Sequence, residues 1–175
     1  MTLKLKRTPG LYLVGFMCSG KSTVGRALAE ELGWCFVDVD AEIEASQAKS
    51  IRQIFREEGE RRFRDLETAT IREHITKVES GNPCVIALGG GAFVQARNWE
   101  LIQNNGVTVW LDCTLETVLE RLGNDIDRPL ATDREGLAQL YGDRRPLYGR
   151  ADFRLEVDTA DTSEIVRRIL NLPIF

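Results

Sequence analysis

Short apolar runs alternate along the chain with longer amphipathic stretches. Five runs predict strands: Leu11–Val14, Cys35–Val39, Val85–Leu88, Val107–Leu111 and Phe153–Val157. Helical periodicity predicts helices at Ser22–Leu32, Ala41–Ala48, Ile51–Glu57, Glu60–Ser80, Asn98–Gln103, Thr114–Arg121, Glu135–Leu147 and Ser163–Leu170. The last of these is capped by Asp161 or Thr162. In the first helix Val24, Ala27, Leu28 and Leu32 share the buried face. Strands alternating with helices predict an α/β fold, a doubly wound parallel sheet with helices in the outer layers. Ligands of such a sheet belong at the carboxyl ends of its strands.

The first strand runs straight into Gly15-Phe16-Met17-Cys18-Ser19-Gly20-Lys21-Ser22-Thr23, which fits G-x-x-x-x-G-K-[ST]. Strand, glycine loop and helix N-terminus together present unpaired backbone N–H groups and the positive end of a helix dipole to a triphosphate. In that geometry Lys21 reaches the β- and γ-phosphates and the Ser22 hydroxyl ligates Mg²⁺.

Composition narrows the alternatives. At 175 residues the chain predicts one domain, spanning 1–175, with a sizeable core. The hydrophobic and charged fractions, 43% and 29%, are those of a soluble globular protein. A net charge of −4 gives no basic field to hold nucleic acid or an anionic membrane. Positive charge is instead local, in Arg61, Arg62 and Arg64, and in Arg128, Arg134, Arg144, Arg145 and Arg150. Such clusters are either solvated helix faces or anion clamps. Cys18, Cys35, Cys84 and Cys113 form no C-x-x-C pair, and the single His74 leaves too few ligands for a zinc site. Buried, reduced thiols in a cytoplasmic protein follow. Lys4, Lys6 and Arg7 before an apolar segment imitate a signal peptide, but cleavage there would destroy the phosphate loop.

The acceptor side is written at other strand ends. Asp38-Val39-Asp40 closes the second strand, and strand alternation puts both carboxylates on one face. One would hold magnesium through water and the other would take a hydrogen bond from an acceptor hydroxyl. A helix N-cap is the competing role for Asp40. Gly89-Gly90-Gly91 ends the third strand and suggests positive φ together with close approach of a substrate to bare main chain. Arg64 and Glu67 stand three apart on a helix whose Phe63, Leu66, Thr70 and Ile71 face the core, and they are spaced to pair. The polar, aperiodic stretch from about 122 to 136 is either disordered or a lid, with Arg128 placed to swing over a transferring phosphoryl group.

In this order, the phosphate loop, Asp-x-Asp, Gly-x-x-x-Phe-Arg-x-x-Glu, Gly-Gly-Gly, Arg-Pro-Leu and Arg-x-Pro-Leu-Tyr resemble the shikimate kinase family from about Leu11 to Leu170. The resemblance implies a P-loop NTP hydrolase-like fold, close to the nucleoside monophosphate kinases. Its five parallel strands would run in order 2-3-1-4-5, with a mobile lid at about 122–136 and an acceptor-binding region at about 40–67. It implies ATP-dependent phosphorylation of the 3-hydroxyl of shikimate, on the route to chorismate, by a cytoplasmic monomer. Cys18, Ser19, Gly20, Lys21, Ser22 and Thr23 would hold the ATP phosphates, with Arg121 on the adenine and Arg128 as the lid arginine. Ser22 would bind Mg²⁺ directly and Asp38 through water. Asp40 would bind the acceptor hydroxyls, and Arg64 and Arg144 its carboxylate, beside Gly89, Gly90 and Gly91. Lys21, Asp40 and Arg128 would carry the catalysis. Two positions depart from the family: Cys18 and Ala48 stand where glycine is usual, and the segment from Arg128 to Arg144 is shortened. A gluconate kinase-like enzyme and a non-catalytic nucleotide-binding homologue are the alternatives. The first should lack the paired arginines around a glycine triplet, and the second should have lost a catalytic residue.

Overall fold

A computed structural model describes residues 10–123, 134–158 and 161–174. Five strands form one parallel sheet: β1 (Gly10–Val14), β2 (Cys35–Asp38), β3 (Cys84–Ala87), β4 (Gly106–Asp112) and β5 (Phe153–Glu156). Their spatial order is β2-β3-β1-β4-β5, as the resemblance implied. Leu11 pairs with Val85 on one side and Val107 on the other, so β1 is central and all five of its residues are buried.

The helices are α1 (Lys21–Leu32), α2 (Val39–Gln47), α3 (Ile51–Glu79), α4 (Ala96–Ile102), α5 (Leu115–Leu122), α6 (Arg134–Tyr148) and α7 (Thr162–Leu170). α1 packs on α7 and against β2 and β3, while α3 packs on α2 and α4. The core joins Leu11, Leu13, Leu28, Ile86, Val109 and Leu111, each fully buried. Burial of this apolar surface is the main force holding the layers together. Among the described residues no helix is long and apolar enough to cross a membrane.

Several local expectations change. The buried stripe of α1 is Val24, Gly25, Leu28 and Ala29, with Ala27 and Leu32 only half-buried. The stripe turns because Gly25 lies under Phe36 of β2, where a Cβ would come within 2.6 Å of that ring. The two helices expected around Gly59 form one element, α3, broken at Gly59 (φ 84°, ψ 166°). That combination is available essentially to glycine alone. A reciprocal capping box between Ser50 and Gln53 starts α3, and Asp161 caps α7. Cys84 and Cys113 are buried as expected, and burial pushes their thiols up to about 12 and about 11. Cys35 is exposed, because it opens the edge strand β2, and Cys18 is only partly covered.

Candidate active site

Chain order reverses around β1: the chain winds outward through β2, returns at β3 and then crosses to β4 and β5. At such a reversal the loops at the carboxyl ends of neighbouring strands diverge and leave a crevice. Here the crevice is a cleft of about 690 Å³, lined by the loop from Met17 to Thr23, by Asp38 and Asp40, by Gly89 and Gly90, and by Arg121.

On the loop side, Gly20 takes a left-handed conformation (φ 90°) immediately before α1. No side chain caps that helix and no acidic residue occupies its first turn, so its N-terminus is left to an external anion. Lys21 bends back over the loop, and its Nζ donates to the carbonyls of Gly15 (3.0 Å) and Phe16 (2.7 Å). Burial draws its pKa down to about 8, against the opposing pull of Asp40. Cys18 also sits in the left-handed region (φ 61°), although glycine is the residue suited to it. Its carbonyl accepts a 2.6 Å hydrogen bond from Arg121 Nη1.

Asp38 and Asp40 do not share a strand face. β2 stops at Asp38, which becomes the N-cap of α2 and accepts from Ala41 N at 3.2 Å. Val39 is the first helical residue and Asp40 lies in the first turn. A helix start replaces the strand end because a capping aspartate satisfies first-turn N–H groups that an extended chain would leave unpaired. The two carboxylates still meet the cleft. Asp38 accepts the Ser22 hydroxyl, tying α2 to the phosphate loop. Asp40 Oδ1 is buried and has no hydrogen-bond partner among the described residues. Burial raises its pKa and Asp38 adds to the rise, while Lys21 and Arg64 oppose it.

The glycine triplet differs from expectation in its backbone. None of Gly89, Gly90 and Gly91 has a positive φ, because Ala92 N bonds back to Gly89 O at 2.9 Å in an ordinary tight turn. Their smallness serves close approach instead. A Cβ at Gly89 would lie 2.6 Å from Asp40 Oδ1 and 3.1 Å from Glu67 Oε1, and one at Gly91 would lie 2.7 Å from the Arg64 guanidinium. At Gly90 a Cβ would lie 3.5 Å from Arg144 Nη1. The turn therefore gathers Asp40, Glu67, Arg64 and Arg144 around bare main chain. Arg64, Gly91 and Arg144 are not themselves among the residues that line the cleft.

The Arg64–Glu67 pair forms at 3.0 Å, and Glu60 also engages Arg64 at 3.2 Å. Glu67 is fully buried and takes a further bond from Gln95 Nε2 at 2.7 Å. Burial pushes it up to about 7 despite Arg64. Its spacing from Arg64 gave the pair away, but its burial did not show, because the turn that covers it is distant in sequence. Arg128 and the centre of the expected lid lie outside the described residues.

The pattern for shikimate kinase matches residues 17–172. This chain belongs to the shikimate kinase family. A shikimate kinase from Persephonella marina is 44% identical over 161 residues, covering 91% of this chain and 96% of that protein. The structure of a shikimate kinase from Acinetobacter baumannii in complex with shikimate superposes with a TM-score of 0.87 at 38% identity, over 95% of this chain and 93% of that one. A gluconokinase from Sinorhizobium meliloti, at 20% identity and a TM-score of 0.60 over 94% of this chain and 91% of its own, shares the fold alone. The family's five-stranded order and its use of ATP accordingly hold for this chain.

Proposed function

We propose that this chain transfers the γ-phosphoryl group of ATP to the 3-hydroxyl of shikimate, as a cytoplasmic monomer. The observation that carries the reading is the buried Asp40 Oδ1, without a hydrogen-bond partner among the described residues, in the cleft between the phosphate loop and the glycine turn. A buried carboxylate oxygen without a donor calls for one, and an acceptor hydroxyl supplies it. Arg64 beside Gly91 and Arg144 beside Gly90 suit the planar carboxylate of the same small acid.

The donor half consists of Cys18, Ser19, Gly20, Lys21, Ser22 and Thr23, with the uncapped α1 N-terminus receiving the phosphates. Lys21 leaves its loop carbonyls for the β- and γ-oxygens, and Arg128 adds a second positive charge for them. Arg121 packs on the adenine. Among the described residues no group of three or more His, Cys, Asp or Glu could hold a metal ion by itself. Mg²⁺ binds through one or two protein oxygens and otherwise through phosphates and water. The touching Ser22 and Asp38 offer one hydroxyl and one carboxylate for it. When bound with ATP, the ion neutralises charge on the phosphate oxygens. Asp40 orients the attacking hydroxyl and takes its proton late, as a loose transition state allows.

A coupled ADP-release assay over shikimate, gluconate and other hydroxy acids tests the proposal. Turnover is expected with shikimate, and Arg64→Ala is expected to raise the shikimate KM at least about tenfold with the ATP KM nearly unchanged. Turnover of gluconate without shikimate, or an Arg64→Ala effect confined to ATP, overturns it.

A further inference from the structure

Tyr148 belongs to the Arg-x-Pro-Leu-Tyr motif, yet no step above uses it. It is the last residue of α6, 2% exposed, and one helical turn beyond Arg144. Residues four apart on a helix share a face, so the two side chains emerge together. The phenol has one proton, and it donates that proton to the carbonyl oxygen of Gly90. Its lone pairs can then only accept, and the Arg144 guanidinium lies close enough to this hydroxyl to oppose the rise that burial gives its pKa. Gly90 neighbours both groups, since a Cβ there would lie 3.5 Å from Arg144 Nη1.

The rest of α6 holds this arrangement in place. Arg145 donates to the buried Asp112 at 2.7 Å and covers the Trp110 ring. Tyr141 donates to Cys113 O at 2.9 Å. These contacts fix α6 to the end of β4, while Arg144 lies over the Phe16 ring at 5.8 Å. Tyr148 ties α6 to the glycine turn through the Gly90 carbonyl.

The geometry points to Tyr148 as a positioning residue for the acceptor: it holds the Arg144 guanidinium and the Gly90 peptide plane in one fixed relation, so that both meet the carboxylate of shikimate together. This rests on the acceptor reading of Arg144 given above. The trans peptide is planar, so fixing the Gly90 carbonyl also fixes the direction of the Gly91 N–H. A large buried tyrosine could equally serve the core alone, and its ring does pack 6.0 Å from Trp110. Tyr148→Phe separates the two roles, since it keeps the ring and removes only the hydroxyl.

Steady-state kinetics of wild type, Tyr148→Phe, Arg144→Ala and the double variant, with shikimate and ATP each varied, test the inference. Tyr148→Phe is expected to raise the shikimate KM about tenfold, because it leaves the Gly90 carbonyl without its donor, with the ATP KM within about twofold. In the Arg144→Ala background the same substitution is expected to add less than about twofold, because the group it positions is gone. An unchanged shikimate KM, an equal rise in both KM values, or full additivity with Arg144→Ala overturns the inference. If Arg144→Ala itself leaves the shikimate KM unchanged, the acceptor assignment fails instead, and the two failures are thereby told apart. Incorporation of 3-fluorotyrosine at position 148 gives a second measurement that needs no loss of the hydroxyl. Its ¹⁹F resonance is expected to move on adding shikimate but not on adding ADP, and a resonance indifferent to shikimate counts against the inference.

Discussion

Cys18 and Ala48 are the only described non-glycine residues with positive φ, at 61° and 50°. The resemblance implied glycine at both. Each carries a Cβ in a conformation where it crowds its own carbonyl. Ala48 is exposed and closes α2, with its N–H bonded to Glu44 O. Ala48→Gly is accordingly expected to stabilise the protein by about 0.5–1 kcal/mol in urea unfolding. A loss of stability would show that the left-handed residue carries no strain. The two residues were legible in the sequence; their left-handed geometry was not, since a sequence names a residue and leaves its φ open.

At the scale of elements, strand and helix types were readable from period alone, and ends were not. Asp38-Val39-Asp40 continues an apolar run, so Val39 looked like strand; it is fully buried, but as the first residue of α2. Period cannot separate those cases, because a buried first turn and a buried strand end are equally apolar. The glycine triplet misled in a related way: smallness and positive φ call for the same residue, and here only smallness is used. Gly59 is the reverse case. A Cβ there would meet nothing within 4 Å, yet the backbone has φ 84° and ψ 166°. Gly59→Ala should therefore cost about 1–3 kcal/mol through the backbone alone. Denaturant unfolding of that variant checks it, and an unchanged midpoint would mean that α3 straightens without penalty.

For the whole molecule, the α/β class was legible in the alternation of strands and helices, whereas the strand order came only with the resemblance. Periodicity says what each segment is and nothing about which neighbours it takes. The same holds for electrostatics, because the charge that matters is gathered by folding. Asp40 from α2 and Glu67 from α3 come together beside Gly89 of the turn after β3. Glu67, ordinarily near 4.5, reaches about 7 in the folded chain. A raised carboxyl binds more protons folded than unfolded, so its stabilising contribution is complete below about 4.5 and is lost as pH rises to about 7. Relative to Glu67→Gln, wild-type unfolding free energy should fall by about 1–3 kcal/mol across that window. Urea titrations of both proteins at several pH values test this, and a flat or rising difference contradicts it.

The folded-back Lys21 has a consequence for how the nucleotide arrives. Its ammonium already lies within the loop, held by the Gly15 and Phe16 carbonyls. The loop thus curls around an internal cation that helps to hold its curvature. A phosphate drawn to that cation competes with two carbonyls for it. Donor binding becomes an exchange of partners rather than an act of assembly.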